Sequence, residues 1–72
     1  MTYSELYALR IRQLCQNRGI TINKLAFLAG LKQSTVDNII RGTSKNPKVR
    51  TLHKIANVLG MTLSEFLDFP EL

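Results

Sequence analysis

Apolar residues recur along the chain at spacings of three and four, the period of helices with one buried face. Tyr7, Ile11 and Leu14 form the first such stripe, widened by Leu6 and Cys15. Ahead of it, Thr2-Tyr3-Ser4-Glu5 has the form of a capping box, in which a hydroxyl accepts from the first turn and a carboxylate reaches back. Asn17-Arg18-Gly19 ends the pattern, so the spacing predicts a first helix of about fifteen residues.

A second, shorter pattern follows. Thr21 is a good N-cap, and Ile22, Leu25, Ala26 and Ala29 supply a buried face, although Lys24 stands where a capping box wants Glu or Gln. Phe27 and Leu28 leave this helix apolar almost all round, so Phe27 either packs on a neighbouring helix or sits in a protein interface. Gly30 ends it, and Val36, Ile39 and Ile40 line one face of a third helix. Lys32, Gln33, Ser34, Thr35, Asn38 and Arg41 are left facing outwards. A turn this short cannot lead the chain back antiparallel, so the two helices diverge steeply. A plain helical hairpin satisfies the apolar pattern; the donors and acceptors on the exposed face favour a recognition surface.

Thr43 to Lys48 is a polar, basic loop containing Asn-Pro. Val49, Leu52, Ile55, Ala56 and Leu59 then give the clearest amphipathic helix, closed by Gly60. His53 stands among Arg50, Lys54 and Asn57 and reads as a surface histidine, with no acid or second imidazole nearby for catalysis or a metal. Thr62-Leu63-Ser64-Glu65 is a full capping box for a short fifth helix whose Leu63, Phe66 and Leu67 close the base of the core. Pro70 stops it, leaving Phe69 and Leu72 as an apolar tail that packs on its own domain or on a second subunit. With no strand pattern or repeat, the expected fold is all-α with five helices.

At 72 residues the chain is expected to form one domain, residues 1–72, with its core over about residues 3–68. It has no apolar run of about 20 residues to span a bilayer. Its first residues lack the basic and apolar regions of a signal peptide, so a cytoplasmic location is expected. The single cysteine, Cys15, lies on a core face without a histidine or second thiol beside it, and reads as packing rather than redox chemistry. No paired acids, no nucleophile with a base and no metal spacing are present, so no enzyme, cofactor or metal is expected.

Charge sharpens the picture. The net charge is +5, and all ten Lys and Arg residues fall between Arg10 and Lys54, a span whose only acid is Asp37. Glu5, Glu65, Asp68 and Glu71 lie near the ends. A basic middle of this kind either solubilises the helices or faces a polyanion, for which nucleic acid is the first candidate.

The stretch GITINKLAFLAGLKQSTVDNIIRG, continued by PKVRTLHKIANVLGMTLSEFL, closely resembles the phage repressor and Cro-like helix-turn-helix family, over about residues 7 to 68. The resemblance implies a compact five-helix, lambda-repressor-like DNA-binding domain with the helix-turn-helix in its second and third helices. It also implies a transcription regulator, specifically a repressor, that binds palindromic double-stranded operator DNA as a homodimer. Carried over by position, Lys32, Gln33, Ser34 and Asn38 fall where the family approaches base edges, with Thr35 and Arg41 near the groove wall. Thr21, Thr43, Ser44, Lys45 and Lys48 fall where phosphates are held. The side-chain chemistry agrees: an amide can pair with adenine, and lysine can donate to guanine.

Three departures from the family pattern qualify this picture. Cys15 and Ile40 occupy positions where an Arg and a Glu often form an internal brace, so apolar packing is expected there. Ile22 replaces a Gln that commonly clasps a phosphate. Phe27 stands at a usually polar position and raises the alternative of a protein-interaction module, antitoxin-like or adaptor, on the same fold. Phe27, Phe66, Phe69 and Leu72 are the expected dimer or partner surface.

Overall fold

The computed structural model describes residues 2–43 and 46–69 and contains five helices: α1 (Tyr3–Arg18), α2 (Ile22–Ala29), α3 (Gln33–Ile40), α4 (Val49–Val58) and α5 (Leu63–Phe66). Their ends follow from local chemistry. Thr2 accepts from the Glu5 backbone N–H while Glu5 accepts from the Thr2 backbone N–H at 3.0 Å, and Thr62 and Glu65 repeat the arrangement at α5. At α2, the Thr21 hydroxyl oxygen accepts from the Lys24 N–H at 3.0 Å. Each cap satisfies amides that the first turn of a helix leaves without partners.

Between α2 and α3 stand only Gly30, Leu31 and Lys32. Gly30 has φ of 68°, a left-handed backbone that costs other L-residues about 1–2 kcal/mol. This lets the chain turn back on itself: the Gly30 N–H donates to Phe27 O at 3.2 Å and the Leu31 N–H to Ala26 O at 2.9 Å. The paired bonds close α2 and leave Leu31 packed against the core, so the direction of α3 is set by the turn.

One core holds the helices. Ile11, Leu14 and Cys15 of α1 meet Leu25 of α2, Ile39 of α3, Leu52, Ile55 and Ala56 of α4, Leu59 and Phe66. Helix α1 packs on α3, α2 on both α3 and α4, and α4 on α5. No described side chain of polar or charged type is buried, so the interior is held by apolar burial alone.

Three sequence expectations change. Phe66 is fully buried, closing the base of the core as its place in α5 suggested, and Phe69 is only 7% exposed. The ring of Phe69 lies 5.8 Å from that of Tyr7, so the tail folds onto the first helix of its own protomer. Neither phenylalanine is available as a dimer or partner surface, because both are consumed by the protomer core. Leu72 lies outside the described residues. Val49, expected on the buried face of α4, is 66% exposed, because it occupies the first turn and the apolar contacts begin at Leu52. Phe27 is 77% exposed, which rules out its packing on a neighbouring helix of the protomer.

Candidate nucleic-acid interface

Helix α3 is held from one side and free on the other. Val36 is fully buried and Ile39 is 1% exposed, while Lys32, Gln33, Ser34 and Asn38 are exposed and Thr35 is half-buried at the edge. The eight-residue helix spans about 12 Å at about 1.5 Å per residue. Its exposed side is therefore a short rigid rod bearing one ammonium, two amides and a hydroxyl. All four residues expected to approach base edges are exposed, Lys32 at the N-cap and the other three within α3.

The two amides are not loose. Gln33 Nε2 donates to Asp37 Oδ1 at 3.0 Å, one turn along the helix. The Thr43 hydroxyl donates to the Asn38 carbonyl at 3.1 Å and lies 3.4 Å from Asn38 Oδ1. Thr43, expected at a phosphate, thus also ties the end of α3 to the following loop. Arg41 is exposed at the C-terminal end of α3, beside this tie.

Beside the N-terminal end of α3 lies an open cleft of about 480 Å³. Leu31, Ile39 and Pro47 give it apolar walls, and Lys32, Thr35, Asn46, Lys48 and Thr51 give it polar groups. Lys32 and Lys48 are the N-cap residues of α3 and α4, and neither makes a side-chain cap hydrogen bond. Neither helix has an acid in its first turn. Two helix starts with uncapped amides and a lysine each thus border one cleft, an electropositive setting for an anion. Asn46 lies in the loop from Thr43 to Lys48 that was expected near phosphates, whereas Thr51 was not singled out from sequence. The missing Ser, Thr, Asp or Asn at positions 32 and 48 was the readable sign that these helix starts lack side-chain caps.

The remaining expected positions are spread around this core of the site. Thr21 is exposed at the start of α2, where its oxygen already accepts from Lys24; its hydroxyl proton is left to donate. Ser44 and Lys45 lie outside the described residues. Arg10, counted in the basic middle, is instead engaged within the protomer, where its Nε donates to Phe66 O at 3.2 Å and its Nη2 to Glu65 O at 2.9 Å. Burial pushes the Cys15 thiol up despite the opposing pull of Arg18, consistent with a packing role. Among the described residues no group of three or more His, Cys, Asp or Glu side chains could hold a metal. No described helix is long and apolar enough to cross a membrane.

Comparison with known proteins bears on this surface. A family sequence model, that of the Cro/C1-type HTH DNA-binding domain, matches residues 10–71. The HTH-type transcriptional regulator SlrR of Bacillus subtilis (strain 168) is 36% identical over 58 residues, covering 81% of this chain and 38% of SlrR. The chain therefore spans well under half the length of that relative. The crystal structure of the prophage Lp1 protein 11 superposes with a TM-score of 0.87 at 38% identity, covering 97% of this chain and 92% of the other. The crystal structure of SinR, a master regulator for biofilm formation, in complex with DNA superposes with a TM-score of 0.78 at 31% identity. That match covers 86% of this chain and 98% of the other.

Proposed function

The chain belongs to the Cro/C1-type helix-turn-helix DNA-binding family, whose members are transcriptional regulators and not enzymes, and we propose that it represses transcription by placing α3 in the major groove of an operator. The observation that carries this reading is the division of α3. Buried Val36 and Ile39 fix the rod, and exposed Lys32, Gln33, Ser34 and Asn38 point away from the protomer. A helix about 10–12 Å across with its side chains suits a groove about 12 Å wide, and its amides, ammonium and hydroxyl match the donors and acceptors that base edges present there.

Lys48 and Thr51 beside the cleft, with Thr21, Thr43 and Arg41, are assigned to phosphates or the groove wall, where they set register without reading sequence. One short helix reads too few base pairs for useful selectivity. A homodimer reading two half-sites about 34 Å apart combines two sets of contacts, so a palindromic operator and a dimer on DNA follow. The cytoplasm is the matching location.

Selection from randomised duplexes with the purified chain tests all of this together. A two-fold symmetric consensus is expected. Gln33→Ala and Asn38→Ala are each expected to cost about 1–3 kcal/mol on that consensus and to blur discrimination at one base pair. Equal losses on consensus and random duplexes would refute base reading, and a monomer that binds one half-site without cooperativity would refute the dimer.

A second reading rests on Phe27, which is 77% exposed on α2 beside half-exposed Leu28. An exposed aromatic next to an apolar neighbour fits a protein partner, as in an antitoxin-like or adaptor module. The Lys24 ammonium, 5.7 Å from the Phe27 ring centroid, already covers part of that ring. Failure of the duplex selection to enrich any sequence would favour this second reading over the first.

A further inference from the structure

We propose that Asp37 is a specificity-determining positioning residue: it biases which way round the Gln33 amide faces the groove, and so favours adenine at that position. The inference rests on the reading of α3 as the recognition helix and adds a residue that the reading itself does not use.

Its basis is the 3.0 Å contact between Gln33 Nε2 and Asp37 Oδ1. A carboxylate can only accept, so the amide nitrogen must face it and the amide oxygen must not. Asp37 is half-buried while Gln33 is exposed, so the fixed partner lies nearer the scaffold and the oriented group nearer solvent. Asp37 is also the only acid between Arg10 and Lys54. A carboxylate on the face offered to a polyanion works against affinity, so its presence there calls for a compensating role.

The amide chemistry supplies one. Free glutamine presents its donor and acceptor in two orders related by a flip, which lets it donate to guanine or accept from cytosine as well as pair with adenine. With one N–H committed to Asp37, the other N–H and Oε1 share a single outward edge. That edge matches adenine, whose N6–H₂ donates and whose N7 accepts.

The magnitude is modest and local. An exposed pair one turn apart on a helix biases the population about 1.4- to 2.3-fold. That bias is the whole of the orientation effect, so preference for adenine over a base read by the flipped order should fall about 1.4- to 2.3-fold at the one base pair.

The test is duplex selection and competition binding with the native chain, Asp37→Asn, Gln33→Ala and the double variant. The base pair facing Gln33 is the one whose preference disappears in Gln33→Ala. Asp37→Asn keeps the shape, removes the charge and allows either amide order. It should relax adenine at that base pair alone, leave the other positions and the thermal midpoint in place, and bind random duplexes more tightly at low salt. In the Gln33→Ala background the same change should tighten random binding but alter no base preference. An unchanged adenine preference in Asp37→Asn, or the same loss with and without Gln33, would overturn the role of Asp37 while leaving α3 as the reader. A native chain that enriches no sequence would overturn both.

Discussion

Removing Phe69 separates a protomer core from a subunit interface more cleanly than any other change in this chain. The ring is 7% exposed and packs at 5.8 Å against Tyr7, 62 positions earlier in the sequence. Truncating a buried phenylalanine costs about 3–5 kcal/mol. The residual exposure of Phe69 and its place beyond the last helix put Phe69→Ala at the lower end, about 3 kcal/mol. In a domain of this size each kcal/mol moves the midpoint by about 4–8 °C, so Tm should fall by about 12–24 °C. Total stability at about 0.05–0.15 kcal/mol per residue is about 4–11 kcal/mol for 72 residues, so most of that range leaves the variant folded. Phe69→Leu, at about 1 kcal/mol, covers the rest. Circular dichroism melts at low and high protein concentration provide the assay. The drop should be the same at both concentrations, because the lost contacts lie within one chain. A variant that melts like the native chain when dilute, and differs only when concentrated, would place Phe69 in an interface and refute the assignment.

Other outcomes follow from the caps and the charges. Hydrogen bonds from the Thr2 and Thr62 backbone N–H groups, and then from their side chains, hold the Glu5 and Glu65 carboxyls below the usual carboxylate range. Their contribution is therefore complete above the unfolded value of about 4.3 and lost as pH falls through the folded values; below that pH the native Tm should drop more steeply than that of a Glu5→Gln, Glu65→Gln variant. Arg10→Met and Lys48→Met should behave oppositely: the first should lower Tm by removing the two donors to α5 and leave the salt dependence of DNA binding in place. The second should leave Tm nearly unchanged and reduce the slope of log K against log salt by about 0.9, as measured by titration at several ionic strengths.

What could be read from the chain depended on how local the responsible contact was. Both capping boxes span four residues, so Thr2-to-Glu5 and Thr62-to-Glu65 announced the starts of α1 and α5 correctly. Gly30 and the apolar spacing around it likewise placed the turn between α2 and α3. The tail was left between its own domain and a second subunit because the deciding partners are remote: Phe69 meets Tyr7, and Arg10 donates to carbonyls 55 and 56 residues away. Composition showed Arg10 as one more positive charge, and only the fold shows that charge employed inside the protomer. Val49 had the right spacing for the buried stripe but stands in the first turn of α4, before the contacts begin. The Gln33–Asp37 bond was readable in principle, since glutamine and aspartate four apart on a helix are neighbours.

The substitution of the family's charged brace also changes what a salt titration can measure. Cys15 is 3% exposed in the core, and Ile40 packs against the same cluster, so α1 holds α3 through apolar surface. The only polar reinforcement described there is Arg12, whose Nη2 lies 3.5 Å from the Ile40 carbonyl, a long contact between a cation and the C-terminal end of α3. Apolar packing is not screened by monovalent salt, whereas an ion pair supporting the recognition helix would weaken as ionic strength rises. The pose of α3 is therefore expected to stay constant across a titration from low to moderate salt. Under that condition the slope of DNA affinity counts phosphates released from their counterions, and a change of slope in Lys48→Met reports a lost phosphate contact rather than a loosened helix.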